Sequence, residues 1–259
     1  MRITTFGDLI LDVVVSLEAP LVPGDDRTAT IRTGAGGQAA NVAAWARDLG
    51  AEARLVCRHG ADPAGQLVAG ELRALGVEIA GPIGDRNGVV VSIAAAGDRT
   101  MASDRGGATG LDPHALEDAW FDCDVLHLSG YALLGLPVAD AAARAAELAR
   151  SHDALVSVDA STYTLADDSF RQRVRSLAPD LVFANEREHA ALGPLDCRLV
   201  LKRGAAGIVV DGRPYPAVPT TVVDATGAGD AFAAGFLDGG PELGLEAAAR
   251  CCAKLGALP

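Results

Sequence analysis

The stretch "DATGAGDAFAAGFL", Asp224 to Leu237, decides how the rest of the chain is read. Gly227 and Gly229 permit tight backbone geometry, so successive N–H groups can converge on one anion at the start of a helix. The helix dipole adds positive potential at the same place. Asp230 falls in the first turn, which sets a carboxylate beside whatever the turn cradles. Phe232 and Phe236, four residues apart, give the helix an apolar face to anchor on a core. The plainer reading is a glycine-rich turn followed by an ordinary first-turn acid, since acids are common there.

The 259 residues suffice for one large domain, or one domain with a small appendage, and can bury a sizeable core. Hydrophobic residues at 49% and charged residues at 22% are ordinary for a globular protein in water. The 34 acids and 22 Lys and Arg leave a net charge of −12. No Lys/Arg cluster suited to a phosphate backbone is present, which argues against a nucleic-acid partner. An anionic ligand must then be held by metal ions and backbone amides. Cys57, Cys123, Cys197, Cys251 and Cys252 lack metal-ligand spacing, and their odd number fits a reducing compartment better than a disulfide framework. No apolar run approaches about 18 residues, and "MRITTFGDLI" lacks a signal-peptide pattern, so a cytoplasmic protein with no membrane partner is expected.

Short apolar runs alternate with Ala-rich helical patterns. Ile3–Phe6, Arg54–Cys57, Val125–Leu128, Leu155–Val158, Leu181–Ala184 and Leu199–Leu201 read as buried strands. Gln38–Leu49 and Ala139–Arg150 read as helices, the first with Ala39, Val42, Ala43, Ala46 and Leu49 on one face and Gly50 as its stop. The βαβα order predicts an α/β fold with a parallel sheet covered on both faces. Val13–Thr33 and Gly88–Ser103 break the pattern. They read as antiparallel strands of a small separate sheet, the second with an "AGD" turn at Ala96–Asp98.

Further motifs fall at turns. "GAGGQAAN" (Gly34–Asn41) is a second glycine-rich entry into a helix, loosely like the dinucleotide fingerprint at Gly34, Gly36 and Ala39. The preceding "DDRTATIRT" alternates like an exposed strand, not a buried parallel one. Two such turns almost 190 residues apart suggest two ligand halves brought together. The Walker pattern is absent, which argues against a P-loop NTPase. "NERE" (Asn185–Glu188) follows a strand, where open α/β sheets bind ligands, and its Asn and Glu suit a hydrated Mg²⁺. The same residues also read as a capping box. Asp12 ends the first strand region as a ligand hydrogen-bonder or a mere strand-end acid. His59, His114, His127, His152 and His189 form no triad, and His127 on an apolar strand reads as a satisfied core histidine.

Taken in order, these segments resemble the ribokinase-like (PfkB-type) sugar kinases almost end to end. "GAGGQAANVA" is similar to the family's N-terminal Gly-Gly…Asn signature at Gly36, Gly37 and Asn41. "GADPAGQ" is similar to its Gly-x-Asp-x-x-Gly segment, "NERE" to its Asn-x-x-Glu, and "KRGAAG" to its Lys-x-Gly-x-x-Gly. "DATGAGDAF" resembles the C-terminal signature, the most specific of the five. The resemblance implies a ribokinase-like three-layer αβα sandwich with a mostly parallel central sheet plus a small β-sheet lid. Residues 1–12, 34–87 and 104–259 would form the core, and 13–33 and 88–103 the lid.

The same resemblance implies ATP-dependent phosphoryl transfer. Asp230 would be the general base and the backbone of Gly227, Ala228 and Gly229 the anion hole. Asp12, Gly36, Gly37 and Asn41 would hold the sugar; Asn185, Lys202, Gly204 and Gly207 would lie at the nucleotide. Glu188 would act on Mg²⁺ through water, and Asp224 and Thr226 stand where some members bind an activating K⁺. A homodimer through the lid is the implied partner arrangement, besides the sugar-like substrate and ATP. Three departures are visible. The family's Asp-x-Asn-x-Arg is Asp159, Ser161 and Tyr163 here, and Gly130 occupies a position often acidic in ribose-specific members. The chain also stops at "CAKLGALP"; if that is the native end, a more open adenine side is expected. The competing class is a sugar- or nucleotide-binding regulatory protein on the same fold that has lost catalysis, with a dehydrogenase third.

Overall fold

The computed structural model describes residues 1–95 and 98–259. In chain order, β1 (Arg2–Phe6), β2 (Ile10–Leu17) and β3 (Ala29–Gly36) lead into α1 (Gln38–Leu49). They are followed by β4 (Glu52–Val56), β5 (His59–Gly60), α2 (Pro63–Ala74), β6 (Glu78–Ala80), β7 (Ile83–Gly84), β8 (Gly88–Ala95) and β9 (Asp98–Asp104). Then come β10 (Val125–Ser129), α3 (Val138–Ser151), β11 (Leu155–Asp159), α4 (Asp168–Ser176), β12 (Leu181–Asn185) and α5 (Glu186–Leu192). The remainder is β13 (Arg198–Lys202), β14 (Ile208–Val210), β15 (Arg213–Tyr215), α6 (Ala228–Gly239) and α7 (Pro241–Cys252).

Nine strands form one sheet in the order β15-β14-β13-β12-β11-β10-β1-β4-β6. It is parallel from β13 to β6; the short β14 and β15 continue it antiparallel at one edge. Strand alternation sends successive side chains to opposite faces. Leu181 and Phe183 join one buried cluster with α1, α2, α6 and α7, while Val182 and Ala184 join another with α3, α4 and α5. All four apolar residues of β12, Leu181–Ala184, are buried, which explains so continuous a hydrophobic run. The six strand runs and both helices read from the sequence are present, with ends shifted by at most a few residues.

The two segments that broke the βαβα order form one separate four-stranded sheet, β3-β2-β8-β9. Its pairing corrects the antiparallel expectation in one place: β2 and β3, and β8 and β9, are antiparallel, but β2 and β8 run parallel. Each segment folds on itself as a hairpin, and the two hairpins join along strands separated by α1 and α2, a crossover that periodicity within either segment does not encode. The strands begin at Ile10 and reach Gly36, so the small sheet is rooted in the main body. Of the expected turn at Ala96–Asp98, Ala96 and Gly97 lie outside the described residues; Asp98 opens β9.

Packing fixes α6 tightly. Phe183 of β12 is fully buried between Phe232 and Phe236 of α6, with ring centroids 5.9 and 5.3 Å away in edge-on contact. Each such ring pair contributes about 0.5–1.5 kcal/mol beyond area burial. A Cβ on Gly244 of α7 would meet the Phe232 carbonyl at 2.8 Å, so glycine lets the two helices close up. Trp45 of α1, fully buried, donates from Nε1 to the Ala257 carbonyl at 2.8 Å and ties the C-terminal segment down behind α6.

Candidate active site

At the start of α6 the chain turns through Gly227, whose φ of +78° is left-handed and whose Cβ position lies 2.6 Å from Ala257. A side chain is excluded there on both counts. The Ala228 N–H makes only a long bond of 3.3 Å to the Ala225 carbonyl, and the first-turn N–H groups that follow have no partner within the helix. The turn can therefore present donors to an anion.

Asp230 follows in the first turn, half-buried. Its Oδ2 accepts a hydrogen bond of 2.7 Å from Asn41 Nδ2, delivered by α1. Burial pushes the Asp230 carboxyl up to about 7; the Asn41 bond opposes this, Asp159 raises it further, Lys202 lowers it and Asp12 raises it. A carboxylate tuned to neutrality in a cleft is suited to accept and release a proton near physiological pH. The Asn41 Oδ1 is buried and has no hydrogen-bond partner among the described residues.

Asp12 stands where β2 leaves the main body, and a Cβ on Gly36 would collide with its carboxylate. Gly37, the residue before α1, backs onto the Asp8 carbonyl in the same way. The sugar-side residues expected from the sequence thus converge beside Asp230.

On the other side, Lys202 at the end of β13 reaches Asp159 at the end of β11, with Nζ 2.5 Å from Oδ2. Asp159 is buried to 2% exposure. Burial works to lower the Lys202 pKa, but Asp159, Glu188 and Asp230 together outweigh it and hold the ammonium above its usual range. Asn185 and Glu188 form the capping box: the Asn185 side chain accepts from the Glu188 N–H at 2.9 Å, and Glu188 Oε2 accepts from the Asn185 N–H at 2.8 Å. Burial raises the Glu188 pKa, while Lys202 opposes it.

Beyond Lys202 opens a cleft of about 500 Å³, lined by Gly204, Gly207, Gly229, Phe232 and Leu245 among others. Its walls are mostly apolar, fit for a flat ring system. Behind the turn, Asp224 Oδ1 accepts from the Thr226 N–H and hydroxyl at 2.9 and 2.6 Å, and Oδ2 from the Gly256 N–H at 3.1 Å. Among the described residues no three His, Cys, Asp or Glu side chains gather into a metal cluster.

Several groups here were not singled out from the sequence. Asp8, directly after β1, is buried against Arg105, whose Nη1 also reaches the Tyr131 carbonyl at 2.7 Å. Gln38 Oε1 accepts from the hydroxyls of Ser129 and Ser161. Asp159 was noted only as part of a departing motif. Asp8, Ser129 and Asp159 all lie at carboxyl ends of parallel strands, and that placement was the signal that could have found them. His127 is fully buried with Nδ1 2.8 Å from Ser157 Oγ, but its Nε2 has no partner, so it is only half satisfied. Burial drops its pKa to about 4, keeping it neutral.

A glycine-rich turn thus feeds a helix that carries Asp230 in its first turn, beside Asn41 and beside the apolar cleft. The family model of pfkB family carbohydrate kinases matches residues 2–258, and the chain belongs to that family. It is 29% identical over 276 residues to an ATP-dependent ribose-1-phosphate kinase of Halopiger xanaduensis, covering 97% of this chain and 90% of that protein. The adenosine kinase structure from Sinorhizobium meliloti superposes with a TM-score of 0.87 at 26% identity, over 100% of this chain and 95% of that one. A probable sugar kinase from Rhizobium etli gives a TM-score of 0.89 at 24% identity, covering 100% and 94%, and bears on the fold alone.

Proposed function

We propose that this protein transfers the γ-phosphoryl group of ATP to a hydroxyl of a sugar or sugar-like molecule. The observation that carries the reading is Asp230: a carboxylate with a pKa of about 7, held by Asn41 at a helix start, with open backbone donors beside it. Phosphoryl transfer depends on in-line positioning and charge stabilisation, and a general base adds a factor of roughly 10²–10⁴. Asp230 takes the proton from the acceptor hydroxyl. The N–H groups of Gly227, Ala228 and Gly229 receive the charge that develops on the transferred group. Asp12, Gly36, Gly37 and Asn41 hold the acceptor; the adenine lies in the apolar cleft with Lys202, Gly204 and Gly207.

Mg²⁺ fits this donor set, because it keeps most of its waters and takes few protein ligands. Glu188 uses one carboxylate oxygen in the capping box, and the other would hold the ion through water. The bound ion supplies neutralisation of phosphate charge. K⁺ at Asp224 and Thr226 would reduce negative potential behind the turn. The small sheet β3-β2-β8-β9 acts as a lid that excludes water from the acceptor, and its outer face is the dimer surface. The net charge of −12 suits an enzyme acting on small molecules and not on nucleic acid, and the cytoplasm is its proposed location.

The test is a Mg-ATP phosphorylation screen over furanoses, hexoses, sugar phosphates, nucleosides and polyols, read by mass spectrometry of the products. A phosphorylated product that depends on ATP and Asp230 is expected. Tight binding of a sugar or nucleotide without any product across the panel would favour the lapsed regulatory reading instead.

A further inference from the structure

The carboxyl ends of β11 and β13 carry a charge pair that the acid–base step does not use. Lys202 Nζ lies 2.5 Å from Asp159 Oδ2, and a side chain added at Gly229 would meet the same ammonium at 3.6 Å. Lys202 is therefore a cation at the edge of the glycine-rich turn, anchored by Asp159. A four-carbon stem carries several rotatable bonds, so an unanchored ammonium would spread over many positions.

Asp159 is itself fixed by two further links. Its Oδ1 accepts the Ser161 N–H at 2.9 Å, and Ser161 sits at a left-handed φ of 64°, a backbone state a non-glycine residue keeps only when its surroundings impose it. The Ser161 hydroxyl is held by Gln38 Oε1, which at 2.6 Å also accepts the Ser129 hydroxyl, and by the Asp159 carbonyl at 3.0 Å. Gln38 thereby ties the ends of β10 and β11 together through one side-chain atom. Other charged or titratable groups facing Lys202 are Glu188 from α5, Asp230 from α6 and, below, His127 from β10.

We propose that Asp159, braced through Ser161 by Gln38, is a positioning residue that aims the Lys202 ammonium at the outermost phosphate seated on the Gly227–Gly229 turn. The inference rests on the kinase reading above and adds what selects a nucleoside triphosphate over a diphosphate. A cation aimed at the outermost phosphate interacts with ATP far more than with ADP, whereas a merely structural ion pair would affect both alike.

The experiment titrates Mg-ATP and Mg-ADP separately into wild type, Lys202→Gln, Asp159→Asn, the double variant and Ser161→Ala, with thermal melts alongside. A charge-assisted hydrogen bond contributes enough that Lys202→Gln is expected to weaken ATP about 10-fold or more and ADP less than about threefold. Asp159→Asn is expected to lower the ATP:ADP affinity ratio when Lys202 is present and to have no such effect in the Lys202→Gln background, the non-additivity of residues acting through one another. An unchanged or raised ratio in Asp159→Asn, or losses that simply add in the double variant, overturns the proposal. Should Asp159→Asn fail to fold, Ser161→Ala decides, since it removes a brace at a half-buried position and leaves the ion pair whole: a lowered ratio supports the relay and an unchanged one sinks it. Wild type that binds neither nucleotide defeats the kinase reading itself. Wild type that binds and turns over ATP while Asp159→Asn keeps its preference defeats the relay alone.

Discussion

At the scale of single residues, the proposed chemistry concentrates on Asp230. Its raised pKa has two consequences of known sign. For turnover, the base must be ionised, so kcat/KM is expected to rise through a pH of about 7 and level off above it, with a tenfold loss per unit on the acid side. A profile flat from pH 5.5 to 8 would separate Asp230 from the titration. For stability, an acid whose folded pKa exceeds its usual value of 3.8 binds its proton more tightly when folded, so stability is lost as pH rises from there through about 7. Asp230→Asn removes that penalty. The variant is expected to melt higher than wild type at pH 8 and with little difference at pH 4, measured by calorimetry at both values. Residue identity made Asp230, Asn41 and Lys202 legible as site groups, because each lies in a motif. Gly130 was legible only as a departure; a Cβ there would meet the Asp159 carbonyl at 2.5 Å and the Ala160 carbonyl at 2.7 Å, so the strand end leaves no room for an acid. That exclusion depends on how β10 and β11 close against each other, which no local pattern states.

At the scale of elements, the two readings of "NERE" turn out to be compatible. Asn185 and Glu188 cap α5 reciprocally, and the helix start they fix lies at the carboxyl edge of the sheet. Asn185→Ala is expected to cost about 1 kcal/mol of stability, the usual loss of a side-chain cap. Glu188→Gln keeps the acceptor for the Asn185 N–H, so it should melt like wild type while activity falls at limiting Mg²⁺ and recovers as Mg²⁺ is raised. An unchanged Mg²⁺ dependence would confine Glu188 to capping. The small sheet shows where sequence patterns stop. Alternation within Val13–Thr33 and Gly88–Ser103 revealed strands and hairpins, but the parallel seam between β2 and β8 is a contact between segments more than 70 residues apart. The short β14 and β15, three residues each, fell below the length at which periodicity carries a signal.

At the scale of the whole molecule, two buried clusters on opposite faces of one sheet hold the carboxyl ends of β1, β10, β11, β12 and β13 in a row. The apolar cleft opens beside Lys202 in that row, and the start of α6 brings Asp230 to Asn41 there. The α/β class was legible because buried strands read as apolar runs and α1 ends on a glycine. The convergence of Asn41 and Asp230, 189 positions apart, was legible only through two glycine-rich turns in need of one ligand. The most direct measurement of the central claim is single-turnover phosphoryl transfer by Asp230→Asn, with the acceptor and nucleotide affinities measured in parallel. Asparagine keeps the size of the side chain and cannot take the hydroxyl proton. Turnover is expected to fall roughly 10²–10⁴-fold, with acceptor affinity unchanged and ATP bound as well or tighter, since a negative charge beside the phosphates is gone. Turnover within about threefold of wild type in a folded variant would contradict it, because a first-turn acid serving only the helix start is replaced by asparagine at little cost.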